Sequence, residues 1–221
     1  LNERGNQDEF LPIWYKLLKQ YREADKPEEV GKCLLTIASH FVMLEDYDNA
    51  LPLYKEAYQL AVEHEFVDLQ KSSGIMLVKY LCGAGDYSKS LEYYNKINPE
   101  IALVPSMQNE VVKSYMELNK PDSARIYLAE RLLLEGGDKI FLNCMMAETY
   151  IPEGQEDSAF IFLDRAMESY KEKKKYYQGK DREVVLPGYF LSTCYLFADL
   201  LWKKGKVQQA NQYLSLIHIS E

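Results

Sequence analysis

Histidine, tryptophan and cysteine are scarce: three, two and four in 221 residues. Cys33, Cys82, Cys144 and Cys194 lie far apart, so no CxxC metal or redox pair exists. A disulfide framework is not expected from so few cysteines in a chain of this size, and reduced thiols buried as small apolar side chains are. Neither His40 nor His64 has a cysteine or histidine at ligand spacing, and His218 falls in a terminal segment taken up below. The glycine loops that cradle phosphates and the GxSxG elbow are missing. Gly83, Gly85, Gly136, Gly137 and Gly154 sit between helical stretches, where glycine permits the left-handed backbone that ends a helix. No run approaches the roughly 20 apolar residues that span a bilayer, and no charged-then-apolar leader opens the chain. Acidic residues outnumber basic ones 34 to 26, a net charge of −8, which disfavours a nucleic-acid surface. The basic cluster Lys171, Lys173, Lys174 and Lys175 reads as a solvated helix end. These absences lead us to expect no enzyme, no cofactor, no metal, no bound nucleic acid and no membrane insertion by this segment.

What the chain does have is a recurring phrase. It reads Glu45-Asp46-Tyr47-Asp48-Asn49-Ala50, then Gly85-Asp86-Tyr87-Ser88-Lys89-Ser90, then Asn119-Lys120-Pro121-Asp122-Ser123-Ala124. It returns as Gly154-Gln155-Glu156-Asp157-Ser158-Ala159 and as Gly205-Lys206-Val207-Gln208-Gln209-Ala210. The closing residues are 40, 34, 35 and 51 apart. A period near 34 predicts stacked helix pairs, an all-α solenoid of antiparallel helix pairs with one continuous apolar seam. Within 29–63, Leu34, Ile37, Ala38 and Phe41 share one helical face. After the turn, Ala50, Tyr54, Ala57 and Leu60 face inward on a second helix, and the small residues let the two helices approach closely.

This pattern resembles the tetratricopeptide repeat. That family places a large residue, a leucine, a small residue and an aromatic on the first helix, then small, aromatic and small residues on the second. Those places are held by Leu34, Ile37, Ala38, Phe41, Ala50, Tyr54 and Ala57, and next by Gly74, Leu77, Val78, Leu81, Ser90, Tyr94 and Ile97. The third set is Gln108, Val111, Val112, Tyr115, Ala124, Leu128 and Arg131, and the fourth Asn143, Met146, Ala147, Tyr150, Ala159, Leu163 and Ala166. A fifth offers Cys194, Phe197, Ala198, Leu201 and Ala210. Val78, Val112, Ile97 and Arg131 depart from the family by replacing small residues. The resemblance implies a right-handed superhelical α-solenoid of about five repeats over 29–213, preceded in 1–28 by a helix that caps the array or belongs to a truncated repeat. The 40-residue step predicts a longer second helix through Ala61 to Phe66, and the 51-residue step an insertion near 171–188 built as an extended helix and a loop. Most of the 18 tyrosines, Tyr47 and Tyr87 among them, are expected to wedge between helices.

The resemblance also implies a function: a protein–protein interaction scaffold that binds a peptide or protein in a concave groove lined by the first helices. The family's inward-facing places fall on Leu35, Ser39 and Val42; Ile75, Lys79 and Cys82; Asn109, Lys113 and Met116; Cys144, Glu148 and Ile151; and Tyr195, Asp199 and Trp202. One position per repeat reads Ser39, Lys79, Lys113, Glu148, Asp199. Like charges stacked in adjacent repeats repel unless a counter-charge sits between them, so Lys79 and Lys113, with Asn109, are expected to hold an acidic group of a bound peptide. Glu148 and Asp199 are then expected to meet a basic one. Family members that clamp the acidic tails of heat-shock chaperones carry lysine and asparagine where this chain has Leu35 and Ser39, which argues against that partner.

The termini suggest a wider setting. The chain opens on Leu1, as a fragment does, and residues 214–221 (LSLIHISE) can be encoded by a string that resembles a transposon-end sequencing adapter read in frame, so they are expected to be an artefact. An alternative reading follows: the repeats resemble the sensor or input region of membrane-anchored bacterial signalling or transcriptional regulators, often those of Bacteroidetes. Cytoplasmic and periplasmic placement both fit, and oligomeric state is unassigned.

Overall fold

The recurring phrase closes one helix and opens the next. In the computed structural model, Glu45 takes φ of 60°. Its N–H donates to Val42 O at 3.0 Å, and Asp46 N–H donates to Phe41 O at 2.9 Å. This paired bonding satisfies the orphan carbonyls of a helix end. The Asp46 carboxylate then accepts from Asn49 N at 3.2 Å and caps the following helix. The same two backbone bonds recur around Asp25, Glu65, Gly85, Gly154 and Gly205, all with positive φ. Gly83, by contrast, is the last residue of a helix, and neither it nor Gly137 is left-handed, so these two do not serve the turn role expected of them.

Glutamate has no conformational excuse for a left-handed backbone, which costs it roughly 1 kcal/mol. Glu45→Gly and Glu65→Gly are each expected to stabilise the fold by about 0.5 kcal/mol, part of the relief being offset by the freer unfolded chain. Gly85→Ala is expected to lose about 1 kcal/mol. Urea midpoints check all three, and a lower midpoint for Glu45→Gly would contradict the assignment of strain.

The described residues are 7–97, 107–134, 137–178 and 187–218. Among them the chain is all-helical with no strand, and it divides into two compact units, 1–118 and 119–221. The first holds α1 (Gln7–Glu23), α2 (Pro27–Met43), α3 (Tyr47–Glu63), α4 (Val67–Gly83), α5 (Tyr87–Lys96) and α6 (Gln108–Glu117). Each helix packs on the next, and α2 also meets α4, as α4 meets α6. The second holds α7 (Pro121–Leu132), α8 (Lys139–Tyr150), α9 (Glu156–Tyr177), α10 (Gly188–Lys203) and α11 (Val207–His218). Here α7 packs on α8, α8 on α9, α10 on α11, and α8 also on α10. Contact between alternate helices within each unit is what stacked helix pairs require.

Nearly every position read as core is buried. Leu34, Ile37, Ala38, Ala50, Tyr54 and Ala57 are closed to solvent, and Phe41 is half-buried. The first unit's Leu18, Val30, Cys33, Leu34 and Ile37 form one apolar cluster, against which Trp14 and Leu17 of α1 pack. In the second unit Cys144, Ala147, Leu163, Ala166, Phe190 and Phe197 form another. All four cysteines are free and buried. Burial raises the thiol pKa of each, that of Cys194 to about 12. His40 is buried and stacks on Phe10 at 4.4 Å, while His64 stacks on Phe66.

The origin of the 40-residue step differs from expectation. The 40-residue step does not come from a helix reaching Phe66: α3 ends at Glu63, and Phe66 precedes α4. It comes from α3 and α4 both being 17 residues long, so the left-handed turn residues fall at 45, 65 and 85. α9 runs for 22 residues, and its four clustered lysines are exposed. Gly179 and the rest of 179–186 lie outside the described residues, and Gly188 opens α10. Residues 214–218 continue α11, and Leu214 packs beside Tyr213 against the core, whereas 219–221 lie outside the described residues.

Candidate functional site

Along the first helices, residues one place beyond the core stripe keep their access to solvent. Ser39, Lys79, Asn109, Lys113, Glu148, Tyr195, Asp199 and Trp202 are exposed, and Leu35, Val42, Ile75, Met116 and Ile151 half-buried. Cys82 and Cys144 are buried instead and belong to the core. Tyr195 and Trp202 are 53% and 57% exposed, one stripe of α10 carrying two large aromatics toward solvent. Leu35 borders a separate cavity of about 320 Å³ with Phe66, Val67 and Leu69.

In the first unit the structure brings Lys79, Asn109 and Lys113 together around one cavity of about 320 Å³. Lys79 comes from α4, Asn109 and Lys113 from α6, and the packing of α4 on α6 sets them face to face. Neither lysine makes an ion pair among the described residues. Several other lysines take a partner from their own helix, as Lys32 does from Glu28 and Lys96 from Glu92. Two further kinds of group border the cavity. Glu110 contributes a carboxylate of which Oε2 is buried and makes no hydrogen bond. Tyr47 and Tyr80 contribute an aromatic wall, their rings 5.7 Å apart, and Tyr80 stacks in turn on Tyr54 at 5.6 Å. Burial raises the pKa of Tyr54 and Tyr80, so both rings carry neutral hydroxyls across the physiological range. Ser39 Oγ lies 3.0 Å from the Tyr54 hydroxyl, which links the first repeat's groove position to the same aromatic ladder.

Tyr47 meets the Tyr80 ring of α4 and yet keeps one side toward solvent. It remains 41% exposed at the cavity, while Tyr87 at the matching turn is half-buried. Glu110 and Tyr80 carried no signal in the sequence, because each sits one place past a groove position on its helix.

In the second unit the acids are already engaged. Thr193 donates its hydroxyl to Glu148 Oε1 at 2.7 Å, and Asp199 pairs with Lys203 at 2.6 Å. Desolvation by the surrounding protein raises the Glu148 pKa, opposed by the Thr193 hydrogen bond. An acid with a raised folded-state pKa binds its proton more tightly folded than unfolded. Its charged form thus costs stability above the folded pKa, and the cost vanishes as pH falls to the unfolded glutamate value near about 4.3. Glu148→Gln is expected to stabilise the fold at pH 7.5 by on the order of 0.5 kcal/mol, a small figure because the residue stays accessible to water. The gain should shrink to nothing by about pH 4. Thermal melts of both proteins across that range check it, and a gain that grows toward acid would reverse the sign.

Among the described residues, no group of three or more histidine, cysteine, aspartate or glutamate side chains is placed to hold a metal ion. No helix among them is long and apolar enough to cross a membrane. The chain matches no protein-family model and no curated protein sequence.

Proposed function

We propose that the chain is a docking module of the tetratricopeptide kind, a right-handed superhelical solenoid of helix pairs that binds a peptide or protein partner along its first helices and does no covalent chemistry. The observation that carries this reading is the split along each first helix. Core positions are closed to solvent, while the adjacent stripe presents lysines, an asparagine and, in α10, two exposed aromatics. Exposed tyrosine and tryptophan on rigid helices are the residue types on which interface energy concentrates. Such a face gives affinity without reorganisation, because the elements that carry it are held by their own core.

Selection of binding peptides from a displayed random library tests the proposal. Selected peptides are expected to lose about tenfold or more in affinity on either Lys79→Glu/Lys113→Glu or Tyr195→Ala/Trp202→Ala. They should be indifferent to Gln59→Ala and Glu168→Ala, exposed residues of second helices. Binding that ignores the first-helix changes and responds to the second-helix ones would overturn it.

A further inference from the structure

Beyond Tyr170, which is buried in the core, the last two turns of α9 are exposed apart from half-buried Tyr177. The packing of α9 on α8 sets these turns beside the first residues of α8, and a cleft of about 540 Å³ lies between them. The cleft is separate from the groove. Lys139, on its lining, precedes Cys144 by five residues, about 140° round a helix of 3.6 residues per turn, and stands opposite Glu148.

Lys139 of α8 and Lys173 of α9 both line the cleft, and neither makes an ion pair among the described residues, whereas Lys203 and Lys204 of the same unit are both paired. Lys171, Lys174 and Lys175, on the other faces of the same two turns, also lack a partner there. A local excess of positive charge therefore stands in a chain whose net charge is −8. Lysines facing one cleft repel unless an anion sits between them. Asp138 is not that anion. Its Oδ1 accepts from Ile140 N at 3.1 Å and from Phe141 N at 3.2 Å, and its Oδ2 accepts from the Tyr189 hydroxyl at 2.7 Å. Glu172, also on the lining, makes no hydrogen bond among the described residues, so its carboxylate is open to a donor from outside. Tyr176 and Tyr177 form a corner, their rings perpendicular with centroids 5.0 Å apart and Tyr176 64% exposed. A planar ring can stack on one of them and meet the edge of the other.

Two unmatched cations, an unmatched carboxylate and an aromatic corner thus share one cleft. A ligand that answers all three carries an anion, N–H donors and a planar ring within a small volume. A nucleoside monophosphate does so, its phosphate bringing about −1.5 to −2 charges at neutral pH to the two lysines. Guanine offers a carboxylate two adjacent donors, N1–H and N2–H, where adenine offers one donor beside an acceptor. A cleft of this volume is of the size that small ligands occupy. We propose that the cleft between the start of α8 and the end of α9 binds a guanine nucleotide, its phosphate between Lys139 and Lys173, its base against Tyr176 and Tyr177, and the donor edge of the base on Glu172. The phosphate can belong to a free nucleotide or to the 5′ end of a strand.

The test is an NMR titration of the ¹⁵N-labelled chain with small probes. GMP is expected to bind about tenfold more tightly than guanosine, which lacks the phosphate, and about tenfold more tightly than ribose 5-phosphate, which lacks the base. AMP should bind severalfold more weakly than GMP. The amide resonances of Lys139, Glu172 and Lys173 should move, and those of Lys79, Asn109 and Lys113 should not. The 5′-phosphorylated dinucleotide pGpU separates the two sources: binding equal to that of GMP assigns the strand end, and weaker binding assigns the free nucleotide. Lys139→Gln/Lys173→Gln, on two exposed residues, should reduce GMP to the level of guanosine and leave guanosine itself unchanged. Tyr176→Ala should weaken GMP and guanosine alike, since both carry the base. Glu172→Gln keeps the shape but presents an amide that matches adenine, so it should abolish the preference for GMP over AMP. GMP binding no tighter than guanosine, ribose 5-phosphate or AMP would overturn the proposal, as would shifts confined to the cavity of Lys79 and Lys113. The peptide selection above is independent of either result, because its variants share no residue with these.

Discussion

Gly74→Leu will unfold the first unit more readily than any surface change, by about 3 kcal/mol, and Ile97→Ala will restore much of what it loses. A Cβ built on Gly74 meets Ile97 Cδ1 and Cγ1 at 3.0 Å and Tyr58 Cε2 at 3.3 Å. The family resemblance puts a large residue at position 74 and a small one at position 97, and this chain has the opposite. Ile97, just past α5, fills the space that α4 leaves empty, and Gly74 and Ile97 are both buried. Tyr58 closes the site from α3, donating its hydroxyl to Lys96 O at 3.2 Å and meeting Tyr93 edge to face. A leucine at 74 must displace these side chains, and overpacking of that kind costs roughly 1–3 kcal/mol or more. Ile97→Ala alone leaves a cavity and costs about 3 kcal/mol. Together the two changes return the family's arrangement, large on the first helix and small on the second. The double variant should therefore lose at least about 1.5 kcal/mol less than the sum of the singles. Urea unfolding of the four proteins measures the cycle. Additive losses would show that the two side chains do not share the space.

Arg125→Ala is expected to be the costliest polar change, at about 2–4 kcal/mol in the second unit. The Arg125 side chain is only 13% exposed and joins α7 to the C-terminal end of α8. Its guanidinium donates to Thr149 O at 2.8 Å and to Thr149 Oγ1 at 3.3 Å. It also pairs with Asp122 at 3.0 Å and with Glu153, and lies 3.9 Å over the Tyr150 ring. Removing it leaves the carbonyl of buried Thr149 without its donor and uncovers the Tyr150 ring, whereas the 87% exposed Asp122 carboxylate simply returns to water; most of the loss therefore comes from the buried carbonyl. Arg125→Lys keeps the charge but has no planar fork to serve the carbonyl, the hydroxyl and the ring together, so it should recover less than half the loss. Denaturant midpoints for Arg125→Ala, Arg125→Lys and Tyr150→Leu check the assignment. A lysine variant as stable as the arginine protein would reduce the site to a plain ion pair.

The groove residues were legible because they follow a rule of spacing. Lys79 and Lys113 occupy the same place in successive repeats, five residues beyond Gly74 and Gln108, and Asn109 lies one turn before Lys113. Once the core stripe is fixed, a helix of 3.6 residues per turn assigns its neighbours. The same rule cannot find Glu110, Tyr80 or Tyr47. These reach the cavity from flanking positions and from the first residue of α3, and whether they do depends on how α4 is rotated against α3 and α6. It equally gave Glu148 and Asp199 a basic partner to wait for, without revealing that Thr193 and Lys203 already hold them.

The sequence by itself determined the helices, their order and their turns. Apolar period, left-handed turn residues and caps such as Asp46 and Asp86 all act within a few residues and need no knowledge of the rest of the chain. Tertiary structure alone decided how size is shared between Gly74 and Ile97, that Arg125 staples two helices, and which charges gather around one cavity. Those outcomes join residues that lie 23 to 34 positions apart, as Gly74 with Ile97, Arg125 with Thr149 and Lys79 with Lys113 do. They are fixed by crossing angles and helix rotation, which are set by the packing of every side chain in the seam at once.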